Sequence, residues 1–231
     1  MKTKKFSKRE EIKKNNRQQI LQAALKVFGE LGIDATHVRD IIRATGLSSG
    51  TFYNYFRSKE EVFDVLLDEI ILDIHNKSRN AWNKVLNSGE YLKESFEEFF
   101  NIFHQNPSYL LFFYKNQHKV RNLRYEGKLN SILQNLENDI EKAIQQGKTP
   151  AVPVKFMTIV LFGTIFEMLA EMILYPETFS TSEVSENLAS FFQGGILSLS
   201  LHTNAKNIST SLSNFSSEIL NLLAKQKKSK N

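Results

Sequence analysis

The chain contains no cysteine, which removes disulfides, thiol nucleophiles and cysteine-based metal sites together and fits a reducing cytoplasm. Proline is scarce, and Pro107, Pro150, Pro153 and Pro176 all fall where an apolar periodicity breaks off, so they read as helix boundaries. Catalytic motifs are missing as well. There is no phosphate-cradling glycine loop, nucleophile elbow or His-Glu-x-x-His helix. The histidines, His37, His75, His104, His118 and His202, never stand three or four apart. No enzyme, metal or cofactor is therefore expected. The lysine-rich start is followed by no apolar segment of the kind a secretory signal needs. No strand-like alternation and no internal repeat is evident, which leaves an all-α chain as the fold expected.

What is present begins with charge. Residues 1–60 hold 13 Lys and Arg against 6 Asp and Glu, whereas residues 61–224 hold 13 against 19. Four lysines in the last seven residues bring the total to +5. A basic front on an acidic body is the distribution expected when only the front meets a polyanion. With 41% hydrophobic residues in 231, there is ample material for a core.

The stretch THVRDIIRATGLSSGTFYNYFRSKEE, Thr36 to Glu61, reads as two short helices around a tight turn and the capped start of a third. Val38, Ile41, Ile42 and Thr45 share one face, Thr36 is placed as the cap, and Gly46 ends that helix. Ser48 caps the next, in which Phe52 and Phe56 point inward while Gly50, Thr51 and Asn54 stand on the opposite side. A small, polar outer face flanked by Tyr53, Tyr55, Arg57 and Lys59 suits a DNA major groove. Small residues permit close approach, hydroxyls and amides read base edges, and the flanking groups hold phosphates. Ser58 and Glu61 form a capping box for the third helix.

At Thr36, Val38, Ile41, Gly46, Leu47, Ser48, Gly50, Thr51, Phe52, Tyr53, Tyr55, Phe56, Ser58, Lys59 and Glu60 the sequence resembles the TetR family of bacterial transcriptional regulators. Ile42 and Thr45 depart from it, standing where the family usually has Ala. The resemblance covers about residues 16 to 75. It implies a three-helix helix-turn-helix DNA-binding head joined to a larger helical ligand-binding and dimerisation body. The divisions expected are a flexible basic arm over 1–15, the head over 16–60, the body over 61–202, and a linker, short helix and lysine-rich tail over 203–231. Ser49, Gly50, Thr51 and Asn54 are expected at the bases, with Thr36, Tyr53, Tyr55 and Lys59 on phosphates. Ser48 and His37 belong to the same surface, and a plain surface position is an equal alternative for His37.

Within the body, Phe96, Phe99, Phe100 and Phe103 lie at the spacing of one helix face, followed by Phe112 and Phe113. They make either a plain core or the lining of a cavity for an apolar or amphipathic small-molecule effector. The run Phe156 to Tyr175 is long enough to span a bilayer, yet it carries Glu167 and Glu171, each costing about 2.5 to 3.5 kcal/mol near a bilayer centre. It is therefore expected to be a core helix, with no membrane partner. Glu167 and Glu171 are expected to be partly enclosed, facing a basic side chain or a cationic ligand. Arg121 and Arg124 at a cavity mouth would favour an acid or acyl thioester instead. The helices 154–175 and 182–201 are apolar on more than one face, so a second subunit is expected to cover them. Phe156, Val160, Gly163, Leu188, Phe191, Gly194 and Gly195 are the interface residues expected, in line with the four-helix dimer bundle that the resemblance implies.

The function expected is that of a cytoplasmic, dimeric, ligand-responsive repressor on a palindromic double-stranded DNA operator. Two alternatives stand beside it: a ligand-independent activator or nucleoid-organising factor, and a helical carrier or adaptor with no operator. The polar face from Gly50 to Asn54 separates the first two from the carrier, since only DNA binding requires it.

Overall fold

The computed structural model describes residues 8–85, 91–123, 125–147 and 150–201. The linker 203–217, the short helix around Leu220, the lysine tail, the break at Ser88 and Gly89, and Arg124 all lie outside the described residues. The described chain is all-α. Its helices are α1 (Lys8–Leu31), α2 (Val38–Thr45), α3 (Ser49–Tyr53), α4 (Lys59–Val85), α5 (Tyr91–Gln105), α6 (Pro107–Lys115), α7 (Gln117–Leu123), α8 (Gly127–Gln145) and α9 (Val154–Leu174), followed by α10 over 181–201.

Each boundary has a local cause. Gly32, Gly46 and Gly147 end α1, α2 and α8 in the left-handed conformation that glycine adopts without steric cost. Pro107 occupies the first turn of α6, where its missing N–H is no loss. Residues 8–15, expected as part of a mobile arm or a frayed helix extension, form the exposed opening turns of α1.

The head and body share one core. Ile20, Leu21, Ala24 and Phe28 of α1 are buried together with Ile41, Phe52, Phe56, Val62 and Phe63. Phe28 meets Phe63 edge-on at 5.5 Å, and Phe63 stacks on Phe112 of α6 at 5.0 Å, so a single aromatic cluster crosses the expected division at residue 60. Among the described helices α1 packs most extensively against α6. Gly29 lies at this contact, where a Cβ would stand 3.4 Å from Leu111 Cβ, room for a methyl group and no more.

The outer helices are covered less completely. Only Thr158, Phe166 and Leu169 of α9 are buried, although the whole helix is apolar enough to cross a membrane. Expected as a core helix whose outer side is left for a second subunit, α9 buries one stripe within the chain and leaves its other faces exposed or half-buried. Phe156, Ile159, Leu174 and Tyr175 on α9 and its end, and Phe191, Leu197 and Leu201 on α10, are each more than two-fifths exposed. Such a surface exceeds the scattered apolar exposure normal for a folded chain.

Candidate nucleic-acid interface

The helix-turn-helix unit is assembled by short-range bonds. Gly46 donates its N–H to the Ile42 carbonyl at 3.1 Å, closing α2. Thr45 Oγ1 donates to the Ile42 carbonyl at 2.8 Å and accepts from the Leu47 N–H at 3.1 Å, so the departure from Ala at this position stitches the turn. Ser48 caps α3 as expected, its Oγ accepting from the Thr51 N–H at 3.1 Å. The start of α4 is capped by Ser58 as expected, while the Glu61 half of the box reaches one residue further back than expected. Glu61 donates its N–H to Ser58 Oγ at 3.2 Å, while its carboxylate reaches back to the Arg57 N–H at 2.6 Å. Hydrogen bonding to its own backbone holds the Glu60 carboxyl below the usual carboxylate range, an N-terminal anion in a favourable place.

Buried Phe52 and Phe56 anchor α3, and a cation lies behind them: the Arg17 guanidinium sits 5.6 Å from the Phe56 ring centre and pairs with Glu69 at 2.9 Å. The opposite side of α3 is open. Ser48, Ser49, Gly50, Tyr53 and Asn54 are exposed or partly so, and Thr51 and Tyr55 are half-buried at its edges. Tyr53 is held upright by an edge-to-face contact with Phe52 at 5.3 Å. Beyond Gly50 a Cβ would meet nothing nearer than Ser48 Oγ at 4.0 Å, so a flat ligand edge can approach the backbone.

Two expected phosphate contacts need correction. Thr36 is completely buried and donates to the Gly32 carbonyl at 2.7 Å, so it neither caps α2 nor faces solvent. The cap position belongs to His37, an exposed residue whose N–H donates to Asp40 Oδ2 at 2.8 Å. Lys59 turns inward and donates from Nζ to the carbonyls of Ile33 at 2.7 Å, Asp34 at 3.2 Å and Thr36 at 2.7 Å. The exposed cations of the unit are Arg39 and Arg43 on α2 and Arg57 just before α4. Arg39 and Arg43 stand four apart on the polar side of α2, a spacing visible in the sequence but outweighed there by the stronger pattern of α3.

In the body, the phenylalanines form a core. Phe96, Phe100, Phe103, Phe112 and Phe113 are buried, and Phe99 packs against both Phe100 and Phe103. A cleft of about 540 Å³ opens instead between α1, α4 and the α5–α6 turn. It is lined by residues such as Leu21, Leu66, Glu69, Asp73, Asn106 and Tyr109, and by none of these phenylalanines. Glu167 is exposed rather than enclosed, and it pairs with Arg121 of α7, whose guanidinium lies 5.4 Å from the Phe166 ring. Glu171 is half-buried.

Of the expected interface residues, Phe156, Phe191 and Gly194 are exposed and Gly195 and Gly163 are half-buried, with open space beyond all three glycines. Leu188 is corrected, being buried inside the chain, and Val160 is half-buried against the core.

Residues 20–66, from the middle of α1 into α4, match the model of bacterial regulatory proteins of the tetR family. The transcriptional repressor KstR2 of Rhodococcus jostii is 40% identical over 67 residues, which is 29% of this chain and 33% of that repressor. The chain thus spans about a third of KstR2. The fatty acid metabolism regulator protein of Bacillus subtilis is 23% identical over 77% of this chain and 94% of its own length. Among solved structures, the fatty acid degradation regulator FadR of Bacillus halodurans superposes with a TM-score of 0.64 at 20% identity, covering 83% of this chain and 98% of FadR. FadR of Bacillus subtilis in complex with stearoyl-CoA superposes with a TM-score of 0.59 at 19% identity, covering 75% and 95%. The matched residues coincide with the helix-turn-helix unit, and the fold agreement extends through the body: residues 20–66 form a TetR-family helix-turn-helix domain, joined to a larger all-α body of the same fold as these regulators.

Proposed function

We propose that the chain is a homodimeric repressor that binds a near-palindromic operator and is released from it by an amphipathic molecule bearing a long acyl chain. The observation that carries the DNA-binding part is the exposed face of α2 and α3: small and hydroxylated residues at its centre, with Arg39, Arg43, Tyr53 and Arg57 around it. Ser49, Gly50, Thr51 and Asn54 meet base edges, and the surrounding groups hold phosphates. Two heads then sit about one DNA turn apart, roughly 34 to 36 Å, or a multiple of it. This role requires no catalytic step.

The effector class draws support from two sides. The FadR structure of Bacillus subtilis holds stearoyl-CoA. In this chain Ile132 and Leu133 of α8 and Leu161, Phe162, Ile165 and Met168 of α9 are apolar yet only half-buried, a seam that an acyl chain fills by parting the two helices. Arg121, beside that seam on α7, is a cation that an anionic headgroup would take over from Glu167, its carboxylate partner in the free chain.

The test is an anisotropy titration on the DNA flanking its own gene, followed by stearoyl-CoA, free stearate and a lipophilic cationic dye. Stearoyl-CoA is expected to release the DNA and to raise the melting temperature of the free protein. Binding that ignores DNA sequence would favour the nucleoid-organising alternative. Specific binding that no compound both releases and replaces with thermal stabilisation would favour a ligand-independent regulator.

A further inference from the structure

Asn116, between α6 and α7, has no exposed surface. Its Oδ1 accepts from the Ile33 N–H at 2.6 Å, and its Nδ2 donates to the carbonyls of Phe28 at 3.0 Å and Phe112 at 2.7 Å. The amide orientation is fixed by these partners, because exchanging oxygen and nitrogen would set donor against donor and acceptor against acceptor. Two of the three bonds leave the body. Phe28 lies in the last turn of α1, and Ile33 is the residue after its terminating glycine, so one side chain grips both the end of α1 and the turn leading into α2.

Neighbouring contacts hold the same turn. His118 Nε2 lies 3.0 Å from Asp34 Oδ2, and the Lys59 ammonium takes the carbonyls of Ile33, Asp34 and Thr36. A Cβ on Gly32 would stand 3.3 Å from the Lys115 carbonyl, so the backbones of turn and α6 are nearly in contact. Arg121, one turn further along α7, pairs with Glu167 of α9. A line of bonded groups therefore runs from α9 through α7 and Asn116 to the start of the helix-turn-helix unit.

We infer that Asn116 is a positioning residue for operator binding: it sets the attitude of α2 and α3 against α6 and delivers movement of α6 and α7 to the reading helix. The inference rests on the DNA-binding reading above and adds the residue through which its regulation passes. The physical reason is the cost of slippage. If α6 moved and the turn stayed, the Ile33 N–H and one or more carbonyls would be left unpaired away from water, which disfavours that state strongly. The turn, with α2 and α3 behind it, moves with α6 instead.

Amide exchange and operator titration together test this. In the unmodified protein the Ile33 amide is expected to exchange in step with the amides of α6. Exchange of Ile33 long before α6 would overturn the inference without any variant. In Asn116→Ala, operator affinity is expected to fall about tenfold, because the free protein no longer holds α2 and α3 in one attitude and binding must then order them. Exchange should accelerate over residues 32–57 and stay unchanged along α9. Asn116→Asp keeps the acceptor for Ile33 but sets an oxygen against the Phe28 and Phe112 carbonyls, and should fall at least as far as Asn116→Ala. A purely structural role would instead accelerate exchange evenly over α1, α6 and α9 and leave the affinity of the folded protein unchanged, and that result would refute the proposal. Should the unmodified chain bind no operator, the regulator reading fails, while the exchange pattern still decides whether Asn116 couples the turn to α6.

Discussion

Lys59 is a cation turned inward: its three N–H donors meet carbonyls of Ile33, Asp34 and Thr36, which leaves none for a phosphate. Lys59→Ala is therefore expected to cost about 1 to 3 kcal/mol of stability, the range for hydrogen bonds to a charged group and for carbonyls left unpaired. It should leave the salt dependence of DNA binding unchanged. Arg39→Ala and Arg43→Ala should do the reverse, each lowering the slope of log affinity against log salt by about 0.9, the change expected when one phosphate is no longer neutralised. Chemical denaturation and titrations at several salt concentrations separate the two effects. Local sequence places Lys59 correctly, just past a capping serine, but not its ammonium, because the partner carbonyls lie 23 to 26 residues earlier and no local pattern records them. Tyr109 is a second case. Burial, and then the Asp73 carboxylate to which its hydroxyl donates at 3.2 Å, push its phenol up to about 12. A phenol raised from its usual value near 10 stabilises the fold fully below pH 10, and that contribution is lost as pH rises through about 12. Absorbance titration should show one tyrosine ionising late, a step that Tyr109→Phe removes.

Helices α2 and α3 were legible because their caps, glycine terminus and paired phenylalanines lie within a few residues of one another. The packing of α1 on α6 was not, since Gly29 carries no side chain to announce what approaches it. Gly29→Ala is expected to be near neutral or stabilising, as its Cβ would stand 3.4 Å from Leu111 Cβ and alanine favours a helix interior by about 1 kcal/mol. Gly29→Leu should cost about 1 to 3 kcal/mol through overpacking against α6. Thermal melts of the two variants check the contrast. The Phe-rich helices show the converse limit of sequence reading: a core and a cavity lining have the same residues at the same spacing, and only the ring contacts of Phe99, Phe100, Phe103 and Phe113 decide between them.

At the scale of the molecule, the exposed apolar residues of α9 and α10 are the surface that the proposed homodimer would cover, with the same patch on both sides. Phe156→Asp combined with Phe191→Asp, at two positions more than half exposed, should give a folded monomer by sedimentation. Its operator affinity should fall steeply, because one head alone forgoes the second half-site. A double variant that remains dimeric would place the interface elsewhere. The sharing of one core by head and body has a further consequence, for biosynthesis. The carbonyl of Phe28 and the amide of Asn116 are 88 residues apart in the chain. At roughly 5 to 20 residues per second, synthesis leaves α1 without α6 for about 4 to 18 seconds. Through that interval Ile20, Leu21 and Phe28 lack part of their cover on the nascent chain. An N-terminal fragment that stops short of residue 107 is thus expected to be taken up by chaperones and proteases, so that a truncated copy would not persist as a free head.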